Sequence, residues 1–324
     1  MLRTVGMVAL VSASLAALSA MGIAARCYAE TLAERLGYSA EDKLLIIHAD
    51  DVGMCHSVNR ATIDALKKGM VTCGSIMIPC PAVPEIAEYC RKHPEADLGL
   101  HLTLTSEWQD YRWGPVAPRS EVPGLLDPEG FMWREERETA RHASPEEVEK
   151  EVRAQIEKAL QLGIKPTHID SHMGTLFVRS DYFQVYIKLA KEYDIPPLVV
   201  EYRPELALRL GEELAKALRA LADQMKGTGF PVLDYIIPDV GGTFETKKEH
   251  YEQALRNLKP GVTEMIVHLG YADEELRGIT NRAHMRQLDY EFFTAESTRK
   301  LINELGIKLI GWKEFEKLRG PDKK

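Results

Sequence analysis

The chain has no surplus of positive charge. Across 324 residues, 41 Lys and Arg face 49 Asp and Glu, giving a formal charge of −8. Nucleic acid and anionic membranes are bound by clustered cations that displace counterions, so the composition argues against both and leaves a neutral or cationic ligand as the easier partner. Cysteine is scarce, five residues with no C-x-x-C pair, so no zinc-ribbon spacing is present. No internal repeat or low-complexity linker breaks the chain, and beyond the first thirty residues no run is long and apolar enough to span a bilayer. With 45% hydrophobic residues, the chain can bury one large core.

The N-terminus differs from the rest. Arg3 is its only early charge, and an apolar Ala-rich run extends from Val5 to Ala25. With small residues at the cleavage-determining positions of Cys27-Tyr28-Ala29, residues 1–29 read as a secretory signal cut after Ala29. An uncleaved anchor is the weaker reading, because the run is rich in Ala, Ser and Gly. Removing Arg3 and Arg26 brings the charge to −10, and the mature protein is expected outside the cytoplasm with no membrane span. Cys55, Cys73, Cys80 and Cys90 then remain, either paired in an oxidising compartment or, as free Cys usually is, small buried thiols.

From Lys43 onward, short β-branched or aliphatic runs alternate with longer amphipathic stretches, the pattern of repeated βα units. Strands are predicted at 44–48, 71–78, 98–102, 167–169, 198–201, 232–236, 265–268 and 308–310. Helices are predicted near 58–69, 82–92, 145–162, 181–193, 205–225, 247–257 and 287–305. The firmest helix start is Ser144-Pro145-Glu146-Glu147, a capping box with Pro in the first turn. Seven or eight parallel strands in one α/β domain, residues 30–324, favour a closed or nearly closed (β/α) barrel.

One long irregular segment, 106–143, interrupts the pattern and holds three of the four Trp residues, Trp108, Trp113 and Trp133. Loops of this length inside compact domains are usually lids or binding loops. The flat rings suit stacking on the apolar faces of a sugar, and pinning the loop to the barrel is an equal alternative.

Four polar signals lie at predicted strand ends. Asp50-Asp51 in His48-Ala49-Asp50-Asp51-Val52-Gly53 places two carboxylates where barrel active sites are built, with Gly53 permitting a turn. Asp51 could instead cap the helix near Val58, which leaves Asp50 without a role. His101 sits between aliphatic neighbours, and alone it would pass for a core residue. His168, Asp170 and His172 alternate and can share a face. His268 ends a further strand. One Asp and two His would leave open positions on a catalytic divalent cation. His168 and Asp170 are candidates for orienting a ligand. Arg282 and Arg286 either brace Asp50, contact substrate or form a solvated helix face. His48, His56, His93, His142, His250 and His284 have no comparable support and read as surface or packing residues.

Together these pieces, with Val58-Asn59-Arg60-Ala61, Gly69-Met70-Val71-Thr72, Gly99-Leu100-His101-Leu102, Pro166 to His172 and Glu264 to His268, make the chain resemble the YdjC-type carbohydrate deacetylases. The resemblance implies a distorted (β/α) barrel and one divalent metal ion, Mg2+ or Zn2+. It makes Asp51, His101 and His172 the metal ligands, Asp50 the general base and His268 the candidate acid. The implied substrate is an N-acetylated sugar or oligosaccharide, and Trp108 and Trp113 are candidates for contact with it. Two departures stand out: Met173-Gly174-Thr175-Leu176-Phe177 replaces the further histidines and aromatic-Pro pair usual after His172, and Leu269 stands where Pro is usual. Competing readings are a metal-dependent hydrolase of another linear amide or ester and a secreted, non-catalytic carbohydrate-binding barrel. A binding module would have no need of Asp50 beside a metal ligand.

The signal reading predicts that protein recovered from its native host starts at or near Glu30 by N-terminal sequencing; recovery of chains still carrying Arg3 would favour an anchor instead.

Overall fold

The computed structural model describes residues 30–203, 212–225 and 228–319. The expected leader, 1–29, and the first part of the helix expected at 205–225 lie outside the described residues.

The strands are β1 Lys43–Val52, β2 Cys73–Ile76, β3 Leu98–Leu102, β4 Ile169–Ser171, β5 Tyr235–Ile237, β6 Gly261–Val267 and β7 Ile307–Leu309. The helices are α1 Leu32–Arg35, α2 His56–Lys68, α3 Val83–Lys92, α4 Glu136–His142, α5 Pro145–Gln161, α6 Ser180–Glu192, α7 Glu212–Met225, α8 Lys247–Arg256, α9 Glu274–Ile279, α10 Ala283–Thr294 and α11 Glu296–Glu304. All strands pair in parallel in the order β4-β3-β2-β1-β6-β5. β7 takes the first three residues of β1, Lys43 to Leu45, while β2 pairs further along it.

The predicted strand at 198–201 is reduced to two parallel bridges, Ile169↔Pro197 and Val200↔Leu233. Pro196 and Pro197 bring no N–H groups to that stave, so a full ladder cannot form there. The bridges still link β4 to the residues before β5, and the sheet curls into a distorted barrel within one domain. Two other expectations change. The helix expected at 287–305 is two helices, broken where Ala295 turns extended at ψ 139, with neither Gly nor Pro there to signal it. The segment 106–143, expected to be irregular, ends in α4. The capping box at Ser144 forms as its sequence indicates, with the hydroxyl accepting from Glu147 N and the Glu147 carboxylate accepting from Ser144 N.

Strand alternation decides what enters the barrel. On β1, Leu45, Ile47 and Ala49 pack outward against Ala61 and Ala65 of α2 and Leu288 of α10. Leu44 and Ile46 turn inward and meet Cys73, Leu233, Val262, Trp312 and Phe315, which plug the N-terminal end. The inward series continues through His48 and Asp50. On β3, Leu98, Leu100 and Leu102 join the outer core with Val152 and Ile156 of α5, so Gly99 and His101 face inside. Period two thus gathers polar groups in the upper barrel above an apolar plug.

All four described cysteines are free, three of them buried, which settles their pairing in favour of thiols. Among the described residues, no helix is long and apolar enough to cross a membrane.

Gly99 marks a tight point of the barrel interior. A Cβ there would lie 2.5 Å from His168 O and 2.6 Å from its Cε1. Gly99→Ala is expected to cost about 1–3 kcal/mol by overpacking, read by urea unfolding. Gly278→Ala, with nothing within 4 Å of its Cβ, serves as the control and is expected to cost nothing.

Candidate active site

The paired carboxylates reach one cavity because β1 carries an extra residue. Ala49 pairs with Gly74 and Val52 with Ile76, so two residues of β1 stand opposite Ser75 alone. Such a bulge bends the strand and re-aims side chains. Asp51 takes up the turn at φ 64 and Gly53 follows at φ 88, where a Cβ would press to 3.0 Å from the Val83 side chain. The alternative role for Asp51 as a helix cap is excluded: α2 starts at His56 behind Cys55, without a side-chain cap.

Asp51 and its neighbours form a set of donors. One carboxylate oxygen, Oδ2, pairs with the buried Arg286 Nη2; Arg286 therefore braces Asp51, not Asp50. The other, Oδ1, is buried with no hydrogen-bond partner, yet His172 Nδ1 lies 3.3 Å away and His101 Nε2 3.5 Å away. The far nitrogen of each ring is occupied. Asp170 Oδ1 holds His101 Nδ1 at 2.6 Å, and Glu107 Oε2 holds His172 Nε2 at 3.1 Å. Ser75 Oγ donates to Asp170 Oδ2 at 2.8 Å. Carboxylates behind imidazoles fix the ring orientation that metal ligation needs. Two donors 2.0–2.1 Å from one tetrahedral zinc stand roughly 3.3 Å apart, close to the spacings here. The three residues therefore fit a divalent cation, and the orphaned Asp51 Oδ1 is the atom such an ion would satisfy.

Electrostatics agree with that charge pattern. Burial opposes the Asp51 anion, but Arg286 and the facing imidazoles outweigh it and hold its pKa well below the usual carboxylate range. Burial likewise opposes the His172 cation, and the Glu107 and Asp51 carboxylates overcome it and push its pKa up to about 10.

Asp50 is held separately. His48 Nδ1 lies 2.8 Å from its Oδ1, and its Oδ2 faces His101 Nε2 at 3.6 Å and His268 Nε2 at 4.0 Å. The His268 side chain keeps 40% of its surface toward the open cavity, and Asp289 Oδ2 accepts from its backbone N–H at 3.2 Å. Its depth in the protein lowers its pKa, against the raising effect of Asp51.

A cavity of about 740 Å³ opens above these groups. Its floor is Asp50, Asp51, His101, His172 and His268, and one wall is apolar, with Met173, Phe177, Val178, Phe183 and Val199. A family profile for YdjC-like proteins matches residues 44–304. The chain belongs to the YdjC-like family. Among its relatives, a carbohydrate deacetylase of Thermus thermophilus is 33% identical over 84% of this chain and 94% of its own. A carbohydrate deacetylase of Thermoanaerobacter pseudethanolicus is 26% identical over 83% of this chain and 98% of its own. A crystal structure from Enterococcus faecalis, of a candidate cellobiose-phosphate cleavage protein, superposes with a TM-score of 0.69 at 26% identity, covering 84% of this chain and 98% of that one.

The segment after His172 falls on the cavity wall: Met173 and Phe177 line it, with Met173 at φ 52. The aromatic loop divides in two. Trp108 lines the cavity 5.9 Å beneath the Arg286 guanidinium. Trp113 is 4% exposed, and its Nε1 donates to Thr105 O at 2.8 Å, so it pins the loop and is corrected from a substrate contact to a clamp. Trp133 also clamps, donating to Gly124 O and stacking on His142. His48, read from the sequence as a packing residue, is corrected to a site residue in contact with Asp50. Glu107, Asp289, Lys247 and Glu264 were missed as well. The period of β1 and β6 could have flagged His48 and Glu264, but no local signal marks the others. Arg282, exposed at the cavity rim, makes neither brace.

Trp108→Ala is expected to raise KM several-fold with little change in melting temperature. Trp113→Ala is expected to destabilise the fold by about 3–5 kcal/mol, as large-to-small core changes do. Steady-state kinetics and thermal unfolding on both variants check the division.

Proposed function

We propose that the protein is a metal-dependent carbohydrate deacetylase that acts outside the cytoplasm and hydrolyses the acetamide of an N-acetylated sugar or oligosaccharide. Relatives named carbohydrate deacetylases support a hydrolase of acetylated sugars. The single observation that carries metal dependence is Asp51 Oδ1, buried without a partner between two imidazole nitrogens whose far sides are braced by carboxylates.

Asp51, His101 and His172 would hold the ion. Two imidazoles with one carboxylate suit zinc or a similar transition metal better than magnesium, which prefers an all-oxygen octahedron. When bound, a divalent cation there lowers the pKa of a water and polarises the acetyl carbonyl. Asp50 presents Oδ2 as proton acceptor for the attacking water. His268, across from that oxygen, is the donor to the departing nitrogen, because an amide nitrogen leaves poorly as an anion. Trp108 offers a flat face for the sugar ring beside these groups. An ester at the same position would meet the same residues, so matched N-acetyl and O-acetyl substrates separate the two reactions.

Purified mature protein, screened with several divalent ions against N-acetylated mono- and oligosaccharides, is expected to release acetate, to lose that activity in chelator and to regain it with metal. Metal binding without acetate release from any of them would leave a binding barrel as the reading. Asp51→Asn is expected to lower metal content, since a neutral amide is the poorer ligand. Asp50→Asn is expected to stay metal-loaded and lose about 10²–10⁴-fold in rate. Near-normal activity of Asp50→Asn would remove it as the base.

A further inference from the structure

The reaction above uses one oxygen of Asp50. The other begins a hydrogen-bond chain that runs down the barrel interior. His48 Nδ1 is 2.8 Å from Asp50 Oδ1, His48 Nε2 is 2.8 Å from His168 Nε2, and His168 Nδ1 is 2.9 Å from Thr167 Oγ1. Thr167 Oγ1 then donates to Asp97 Oδ1 at 2.6 Å. Both histidines are fully buried and Asp97 is 8% exposed.

The far end sets the direction of every link. Asp97 accepts from Thr167 Oγ1 and, through Oδ2, from Lys313 N. The threonine oxygen is therefore left to accept from His168 Nδ1–H. A neutral His168 then has a bare Nε2, which accepts from His48 Nε2–H. His48 Nδ1–H remains to donate to Asp50, so His48 carries both ring protons. The electrostatics follow the same pattern: burial opposes a charge on His48, but Glu264 and Asp50 outweigh it and push its pKa up to about 10, whereas burial and the neighbouring imidazoles keep His168 neutral.

His48, His168 and Asp170 also place donor atoms near one another, which invites reading them as a second metal site. Two nitrogens on one zinc would stand roughly 3.3 Å apart, and the 2.8 Å between the two Nε2 atoms is a hydrogen-bond length. The surroundings are built for the chain. Gly99 leaves the space that His168 fills, Trp312 stacks on the His168 ring at 4.6 Å and 12°, and Trp312 Nε1 donates to Glu264.

We propose that His48 is a positioning residue for Asp50, and that His168, Thr167 and Asp97 fix the ring protons with which His48 holds it. The proposal rests on the deacetylase reading. With Oδ1 tied to His48, the carboxylate cannot turn, and Oδ2 alone faces His101 and His268. A proton taken from water enters at Oδ2 and leaves from Oδ2, and Oδ1 keeps accepting from His48 in both states.

The test uses metal-loaded mature protein and compares His48→Leu, His48→Asn and Thr167→Val with the parent. Metal content, melting temperature, kcat and KM for acetate release are measured. Removing the outer partner of a metal ligand typically costs about 10–100-fold in activity, and His48→Leu is expected to lose a comparable factor in kcat, with KM and metal content unchanged. His48→Asn, whose amide N–H can donate from near the place of Nδ1, is expected to recover most of the loss. Thr167→Val, which cuts the chain below His168, is expected to show a smaller fall in kcat alone. Unchanged kcat in a folded His48→Leu protein overturns the proposal, and so does a fall that follows metal content. If His48→Leu does not fold, an Asn variant no faster than one-hundredth of the parent overturns it equally. Nitrogen-15 NMR of the histidine rings reads the chain independently of turnover: two protonated nitrogens on His48 and one on His168 are expected at neutral pH, and a bare nitrogen on His48 overturns the assignment. A parent protein that releases no acetate from any acetylated sugar counts against the deacetylase reading, and the NMR result still decides the chain.

Discussion

The site depends on a buried ion pair, Asp51 with Arg286. Both are buried, and Asp51 sits at positive φ on the bulge of β1. Removing one partner of such a pair typically costs about 3–5 kcal/mol, because the other charge is stranded without water. What the pair secures is geometry as much as stability. With Oδ2 committed to Arg286, Oδ1 must point between His101 and His172. The same helix, α10, carries Asp289 three residues on, which accepts from the His268 backbone and pairs with Lys247. Residues at i and i+3 share a helix face, so α10 fixes both the Asp51 carboxylate and the strand end that bears His268.

Around that pair, the charges are arranged for a cation. Asp170 stands behind His101 and Glu107 behind His172, and the buried carboxylates keep both rings biased toward their protonated forms. A divalent cation bound between these atoms would satisfy Asp51 Oδ1, and because it needs neutral imidazole nitrogens its uptake would release any protons the rings carry there.

Much of this was legible in the sequence, and the limit is instructive. In the sequence, Asp50, Asp51, His101, His172 and His268 stand at the predicted ends of four strands, and His168, Asp170 and His172 alternate so that they can share a face. Asp50, Asp51, His101 and His172 could thus be collected as one constellation. Alternation along β1 places His48 on the same side as Asp50, yet an isolated His in an aliphatic run reads as a core residue, and its contacts with Asp50 and His168 emerge only in the folded chain. Trp113 was misplaced because an aromatic-rich loop looks alike whether its rings face ligand or core; burial and the bond to Thr105 O separate Trp113 from Trp108. Glu107, Asp289 and Lys247 come from loops and helices whose approach to the barrel mouth is tertiary. The stave at 197–200 failed to form a ladder because consecutive prolines remove its donors, a local fact outweighed by the apolar pattern that follows.

Chemistry and selectivity are carried by different parts of the molecule. Asp50, Asp51 and His101 sit on strands and His172 and His268 directly follow strands, where β pairing and an interior of interlocked side chains fix them, and a change there disturbs several buried charges at once. The cavity wall is made by the turn after His172, the 198–200 stave and the aromatic loop, where the backbone is held by few ladder bonds. Met173 occupies a left-handed turn and is 42% exposed, so its replacement alters the wall without touching the network below. At that turn this chain offers a thioether and a phenyl ring, Met173 and Phe177. Apolar contact is less directional than hydrogen bonding and does not reject a ligand for one misplaced hydroxyl. The wall at Met173 and Phe177 thus discriminates by shape more than by hydrogen bonding, and it lies apart from the buried charges at Asp50 and Asp51.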